Sequence, residues 1–139
     1  MKASVKSDYA ARAVFGLARH YPSKTALKVE ELAAGLSAPP KYLVLILNEL
    51  QGPGITRSIR GKAGGYLLGK PPSEITLGDV LRAVDGTIVD MPALNDAGCP
   101  PELRRAWQKL QQAMVSAADS VTFQALLEES AEKEKMYYI

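Results

Sequence analysis

The chain has 139 residues, 47% hydrophobic and 23% charged, with a formal net charge of +2. That length and apolar share suit one domain, or one domain with an extension, and they exclude both a disordered chain and a disulfide-stapled miniature, since Cys99 is the only cysteine. Residues 1–70 hold eleven Lys/Arg against four Asp/Glu, a net +7, whereas residues 71–139 hold six against eleven, a net −5, so the first half is expected to face a polyanion.

At the start, Ser7 is placed to cap a helix from about Asp8 to Tyr21, in which Ala10, Ala13, Val14, Leu17 and Ala18 recur at helical spacing and Pro22 follows the end. A short polar linker comes next. Val29 to Leu36 reads as a second, short helix, and Ser37-Ala38-Pro39 breaks it because a residue before proline leaves helical geometry. Pro40 suits the first position of a third helix, Lys41 to about Gln51, which ends at Gly52-Pro53-Gly54. Its spacing turns Leu43, Ile46, Leu47 and Leu50 to the core and leaves Val44, Leu45, Asn48 and Glu49 outward. The longest unbroken apolar run, Tyr42 to Leu47, is too short to span a bilayer, and the N-terminus lacks a signal peptide's apolar stretch; the expectation is a soluble, cytoplasmic protein without membrane contact.

Two runs with strand chemistry follow, Ile55 to Ile59 and Tyr66 to Leu68, around the glycine-rich Gly61 to Gly65. A hairpin with a basic tip is a wing; Arg57, Arg60 and Lys62 put positive charge along its approach, and Arg60 at the tip suits a minor groove, where negative potential concentrates. The alternative is a solvated hairpin whose charges keep a sheet edge soluble. Three helices, the last two joined by a tight turn and followed by a basic hairpin, predict a winged helix-turn-helix whose third helix lies in the major groove. On that reading Lys6, Pro39, Lys41, Tyr42, Val44, Leu45, Arg57, Ser58, Arg60, Gly61 and Lys62 are the candidate DNA-binding residues, and double-stranded DNA is the partner. Thr76, with Asp79 three residues on and Ile75 and Val80 placed to staple, starts a helix from Leu77 to Asp85.

The run Tyr42 to Gly86 resembles the Rrf-two family of bacterial winged-helix regulators. The resemblance is strongest at Arg60 to Tyr66 (RG-x-x-GGY) and at Pro71 to Gly86 (PP-x-x-ITLGDV-x-RAV-x-G), and looser at both ends. It implies a transcriptional regulator, most often a repressor, and not an enzyme. The residues agree on the last point: there is no nucleophile elbow and one histidine, and Gly61-Lys62 lacks the glycine and the hydroxyl of a P-loop. The family usually carries Glu-Gln where Val44 and Leu45 stand, a pair that faces bases, so base reading here is expected to be weaker or directed at thymine methyl groups. Pro39 also replaces a common capping serine.

Beyond Gly86 the chain loosens through Pro92, Gly98 and Pro100-Pro101. Cluster-bearing relatives hold three cysteines in this loop; here Cys99 is alone, so no iron–sulfur cluster and no other cofactor is expected. Cys99 is either passive or a redox-sensing thiol. From Glu102 to about Ala118, Leu103, Trp107, Leu110 and Met114 define an apolar stripe expected to pair two copies as a homodimer, the alternative being a fold-back onto its own subunit. A second short helix, Val121 to Glu129, is placed over the first. The charged run Glu128 to Lys135 then reads as a solvated tether ending in Met136-Tyr137-Tyr138-Ile139. The family's cluster-less cysteine-metabolism repressor ends similarly and forms a complex with cysteine synthase (O-acetylserine thiol-lyase). That resemblance implies a partner-binding role for Tyr137, Tyr138 and Ile139, against a tail that covers its own dimer or frays. A regulator that senses a small ligand or redox state through Cys99, without an enzyme partner, is the second functional reading.

The expected fold class is mainly α with a small β-hairpin wing, a winged helix-turn-helix plus a long C-terminal dimerisation helix. The expected organisation is a DNA-binding domain over 1–86, a loop and dimerisation helices over 87–127, and a tail over 128–139.

Overall fold

The computed structural model describes residues 4–23 and 25–137. Six helices and one hairpin follow in the order α1 (Val5–Arg19), α2 (Val29–Leu36), α3 (Pro40–Glu49), β1 (Thr56–Ile59), β2 (Gly65–Leu68), α4 (Leu77–Asp85), α5 (Pro101–Ser120) and α6 (Phe123–Tyr137), with short 3-10 turns before α4 and before α5. The mainly α, winged-helix class expected from the sequence is the one formed. The core is built from the apolar faces of α1, α2 and α3, closed by Ile55, Leu68, Ile75, Val80 and Phe123.

Helix α1 begins earlier than its spacing suggests. The cap is Ser4 and not Ser7: the Ser4 Oγ accepts the Ser7 N–H at 3.0 Å, and Ser7 lies one turn inside the helix. Ser7 shares the i, i+3, i+7 face of Ala10 and Val14 and is buried with them, its hydroxyl donating to the Ser4 carbonyl at 2.9 Å. A buried serine is thereby satisfied locally. Helix α3 starts at Pro40, whose missing N–H is no loss in a first turn, and no side chain caps it.

The turn before α4 forms the expected reciprocal cap. The Asp79 N–H donates to the Thr76 Oγ1 at 3.0 Å, and the Thr76 N–H donates to the Asp79 carboxylate at 2.9 Å. Ile75 and Val80 are fully buried beneath it. Burial pushes the Asp79 carboxyl upward, but the Thr76 hydrogen bonds and the Arg82 guanidinium outweigh it and hold the group below the ordinary aspartate value. A carboxyl whose folded pKa is depressed contributes stability that is present above its unfolded pKa and is lost as pH falls through the folded one. We expect the melting temperature to decline below about pH 4, and Asp79→Asn to flatten that decline while lowering the neutral-pH value. Thermal melts over a pH series check this.

Helix α6 corrects two expectations. It runs unbroken to Tyr137, so residues 128–137 are helix and not a flexible tether, although most of 128–136 is exposed as expected, and the boundary drawn at residue 128 falls inside it. From Ala125 to Met136 every residue except Ser130 is a strong helix former, and the first turns are anchored by buried Phe123 and partly buried Leu126 and Leu127. It also packs across α1 and the turn before α4, and not over α5. Phe123 is held there by backbone pairing, its N–H donating to the Ile75 carbonyl at 3.0 Å.

Candidate nucleic-acid interface

The spacing of α3 is realised except at Val44, which was expected to face outward. Leu43, Ile46, Leu47 and Leu50 are buried, and Leu45, Asn48 and Glu49 are exposed, Leu45 by 62%. Val44 is half-buried and lines a groove of about 350 Å³ with Lys28, Val29, Lys41 and the wing glycines Gly64 and Gly65. Lys41 projects from the first turn of α3, exposed like Pro39 before it, and Tyr42 stacks edge-on against Tyr9 with centroids 5.5 Å apart. Tyr42 therefore braces α3 against α1 from a half-buried position.

The hairpin is fixed to the last turn of α3. The Ile55 and Thr56 N–H groups both donate to the Leu50 carbonyl, at 3.0 and 3.2 Å, and the buried Thr56 hydroxyl donates to the Leu47 carbonyl at 2.7 Å. Further out, the Tyr66 hydroxyl donates to the Asn48 Oδ1 at 2.8 Å. The two strands pair antiparallel from Thr56 with Leu68 to Ile59 with Gly65.

A third strand edge was not visible in the sequence. Leu27, inside the presumed polar linker, pairs with Tyr66: the Leu27 N–H donates to the Tyr66 carbonyl at 3.0 Å and the Tyr66 N–H returns a bond at 2.8 Å. The Lys28 Nζ adds a bond to the Lys62 carbonyl at 2.9 Å. These bonds dictate the glycine at 65. A Cβ there would sit 2.2 Å from the Leu27 carbonyl oxygen, with φ at +154°. Gly65→Ala should therefore break the Leu27 edge, at about 1–3 kcal/mol of local stability, with faster amide exchange at Leu27 and Tyr66 as the readout. Protection equal to the parent's would contradict it.

At the tip, Gly61 takes φ +104° and turns the chain between Arg60 and Lys62. Arg57, Ser58, Arg60, Gly61 and Lys62 are all exposed. Among the described residues no acidic side chain pairs with Arg57, Arg60 or Lys62. Lys6 differs. Its Nζ lies 2.8 Å from the Glu49 carboxylate at the end of α3, and that hydrogen bond, outweighing partial desolvation, holds the ammonium above the ordinary lysine value. In the free protein Lys6 ties α1 to α3, so much of its charge is already answered. The pairing spans 43 positions and has no local sequence signal.

Away from this face, α5 carries a second surface. Only Ala118 of its twenty residues is buried, and Leu103, Trp107 and Leu110 are 47%, 36% and 40% exposed, with Met114 half-buried beside them. Helix α5 rests on α4 and on the turn before it, and these stripe residues are only partly covered by their own chain. Tyr137 is the last residue of α6, and Tyr138 and Ile139 lie outside the described residues.

Comparison with known proteins agrees with this geometry. The profile of the Rrf2 (Rrf-two) family, described as iron-dependent transcriptional regulator, matches residues 3–129. The chain belongs to the Rrf2 family. Within it, the HTH-type transcriptional regulator CymR of Bacillus subtilis is 32% identical over 142 residues, covering the whole of both chains. Among solved structures, that of B. subtilis CymR, the global cysteine regulator, superposes with a TM-score of 0.81 at 28% identity over 93% of this chain and 98% of that one. The IscR of T. potens gives a TM-score of 0.80 at 25% identity over 99% of this chain and 97% of that one. These relatives are transcriptional regulators, and this Rrf2 protein is a winged-helix regulator of the same kind and not an enzyme.

The family description raises the question of iron. A cysteine-ligated cluster needs several thiolates, and this chain brings one. Cys99 is partly exposed just ahead of α5, its Sγ 3.7 Å from the Pro100 carbonyl. His20 is occupied at the far end of α1, its Nε2 2.7 Å from the Thr25 carbonyl. Among the described residues no three His, Cys, Asp or Glu side chains converge as a metal site. The donor set does not fit an iron–sulfur cluster. No helix among the described residues is long and apolar enough to cross a membrane.

Proposed function

We propose that this Rrf2 protein is a homodimeric, operator-binding repressor that works without an iron–sulfur cluster. The observation that carries the reading is the hydrogen-bonded join between the end of α3 and a basic hairpin whose Arg57, Arg60 and Lys62 have no acidic partner among the described residues. In this reading α3 enters the major groove, Arg60 the adjacent minor groove, and Lys41 and Lys62 meet phosphates. Val44 and Leu45 offer apolar contact to thymine methyl groups and cannot read donors or acceptors. The Leu103, Trp107, Leu110 and Met114 stripe joins two copies, so that two α3 helices address the halves of a palindromic site. The single-thiol donor set supports the absence of a cluster.

The regulated process, in the same reading, is sulfur and cysteine metabolism, and the signal is a complex with cysteine synthase reached through Tyr137, Tyr138 and Ile139. Full-length likeness to the cysteine regulator CymR supports it. The test is to select bound fragments from the host genome, then titrate cysteine synthase onto the protein–operator complex. Enrichment of sulfur-metabolism promoters and an enzyme-dependent shift in operator affinity, lost on deletion of Ile139, are expected. Operator binding that ignores the enzyme but changes when Cys99 is oxidised would replace the partner with a thiol sensor. Failure to bind any duplex at low salt would remove the whole reading.

A further inference from the structure

We propose that Asn48 is an uncharged phosphate-binding residue, set in the notch between α3 and the wing and aimed by a polar chain that no motif announced. The inference rests on the DNA-binding reading above and adds a site to it. Asn48 Oδ1 accepts two hydrogen bonds, from the Tyr66 hydroxyl and from the Gln51 Nε2, each at 2.8 Å. Gln51 is oriented in turn, its Oε1 accepting from the Ser58 hydroxyl at 3.3 Å. A carboxamide oxygen has two lone pairs, and here both are used inside the protein. The Asn48 amide therefore turns its two N–H groups outward from an exposed position on the outer face of α3. A site whose acceptors are consumed and whose donors are free matches a ligand that only accepts, as a phosphodiester oxygen does.

Position selects the ligand further. The chain runs from the last turn of α3 to both strands of the hairpin, Ser58 on β1 and Tyr66 on β2. A protein with a helix in the major groove and a hairpin tip in the neighbouring minor groove straddles the sugar–phosphate strand between them. Asn48, in the last turn of α3 and hydrogen-bonded to the hairpin, would meet that strand and not the base edges. Because none of these four side chains is charged, the contact would fix register without releasing a counterion, unlike Arg57, Arg60 and Lys62.

The test uses the full-length protein and an operator duplex over a salt series, with Arg60→Ala as the charged reference. Asn48→Ala should lower affinity about fivefold to tenfold on operator and unrelated duplex alike, with the slope of log K against log salt unchanged. Asn48→Asp, which offers only acceptors and a negative charge, should lower it further. Tyr66→Phe should give a smaller loss, because it frees the amide to rotate. A scan of single methylphosphonate substitutions along the strand between the grooves should find one position that weakens the parent protein and has no added effect on Asn48→Ala. An Asn48→Ala protein that keeps parental affinity, shows altered preference at one base pair, or remains fully sensitive at every methylphosphonate would overturn the assignment. A parent protein that binds no duplex would show instead that the DNA-binding reading itself is wrong.

Discussion

Arg60→Ala should weaken binding to an operator duplex by roughly tenfold to a hundredfold, corresponding to about 1–3 kcal/mol, and leave the melting temperature where it was. The side chain is exposed at the tip of the hairpin, one residue before Gly61 takes a positive φ, and it makes no ion pair among the described residues. Nothing in the folded subunit is lost when it is cut back, because surface positions without partners contribute little to stability. In the proposed reading its value is at the groove. A narrow minor groove concentrates negative potential, and an arginine held there by a braced hairpin loses little freedom on binding.

Two comparisons separate that effect from plain charge. Lys62→Ala, one turn residue away, should act mildly and reduce the salt slope by about one, the signature of a phosphate contact. Lys6→Ala should fall below both, because the Glu49 carboxylate 2.8 Å away already occupies its ammonium. Affinities measured by anisotropy over a salt series would order the three. Parity between Arg60→Ala and the parent protein would end the assignment of the hairpin as a DNA-contacting wing.

The order of those effects also shows what a one-dimensional reading reaches. The face of α3 was legible because Leu43, Ile46, Leu47 and Leu50 repeat with the helical period, and the start of α4 because Thr76 and Asp79 solve a local hydrogen-bonding problem three residues apart. Features made by distant residues were not. Leu27 is a strand of one residue, too short to show alternation, and its partner Tyr66 lies beyond two helices. Lys6 looked like a free cation because nothing nearby in sequence predicts Glu49 beside it. The run from Glu128 to Lys135 looked solvated, and most of it is exposed, yet Glu, Lys and Ala are helix formers and Leu126 and Leu127 supply the seat on α1. Asn48 was visible as an outward residue of α3, but its orientation depends on a tyrosine contributed by the hairpin.

The second large effect concerns the other surface. Trp107→Glu should convert the protein to monomers at micromolar concentration and lower affinity for a palindromic operator by at least about a hundredfold, with binding to an isolated half-site little changed. Each subunit keeps its own core without α5: the buried cluster runs through α1, α2, α3 and Phe123, and the α5 stripe is not part of it. The variant should therefore fold. At the stripe, Leu103, Trp107 and Leu110 follow one another at four- and three-residue steps, and all three remain exposed in the single subunit. A carboxylate at the middle of that line would have to be buried unpaired between two copies, at a cost of several kcal/mol. Two half-sites held by one dimer bind as a linked pair, since the second α3 meets its half-site at the effective concentration set by the first. Loss of pairing removes that gain without touching a residue that faces DNA. Sedimentation velocity and binding to full and half operators, run on the same preparation, decide the matter: a Trp107→Glu protein that stayed dimeric would move the subunit interface away from α5, and one that became monomeric yet bound the full site as tightly would show that each subunit recognises DNA alone.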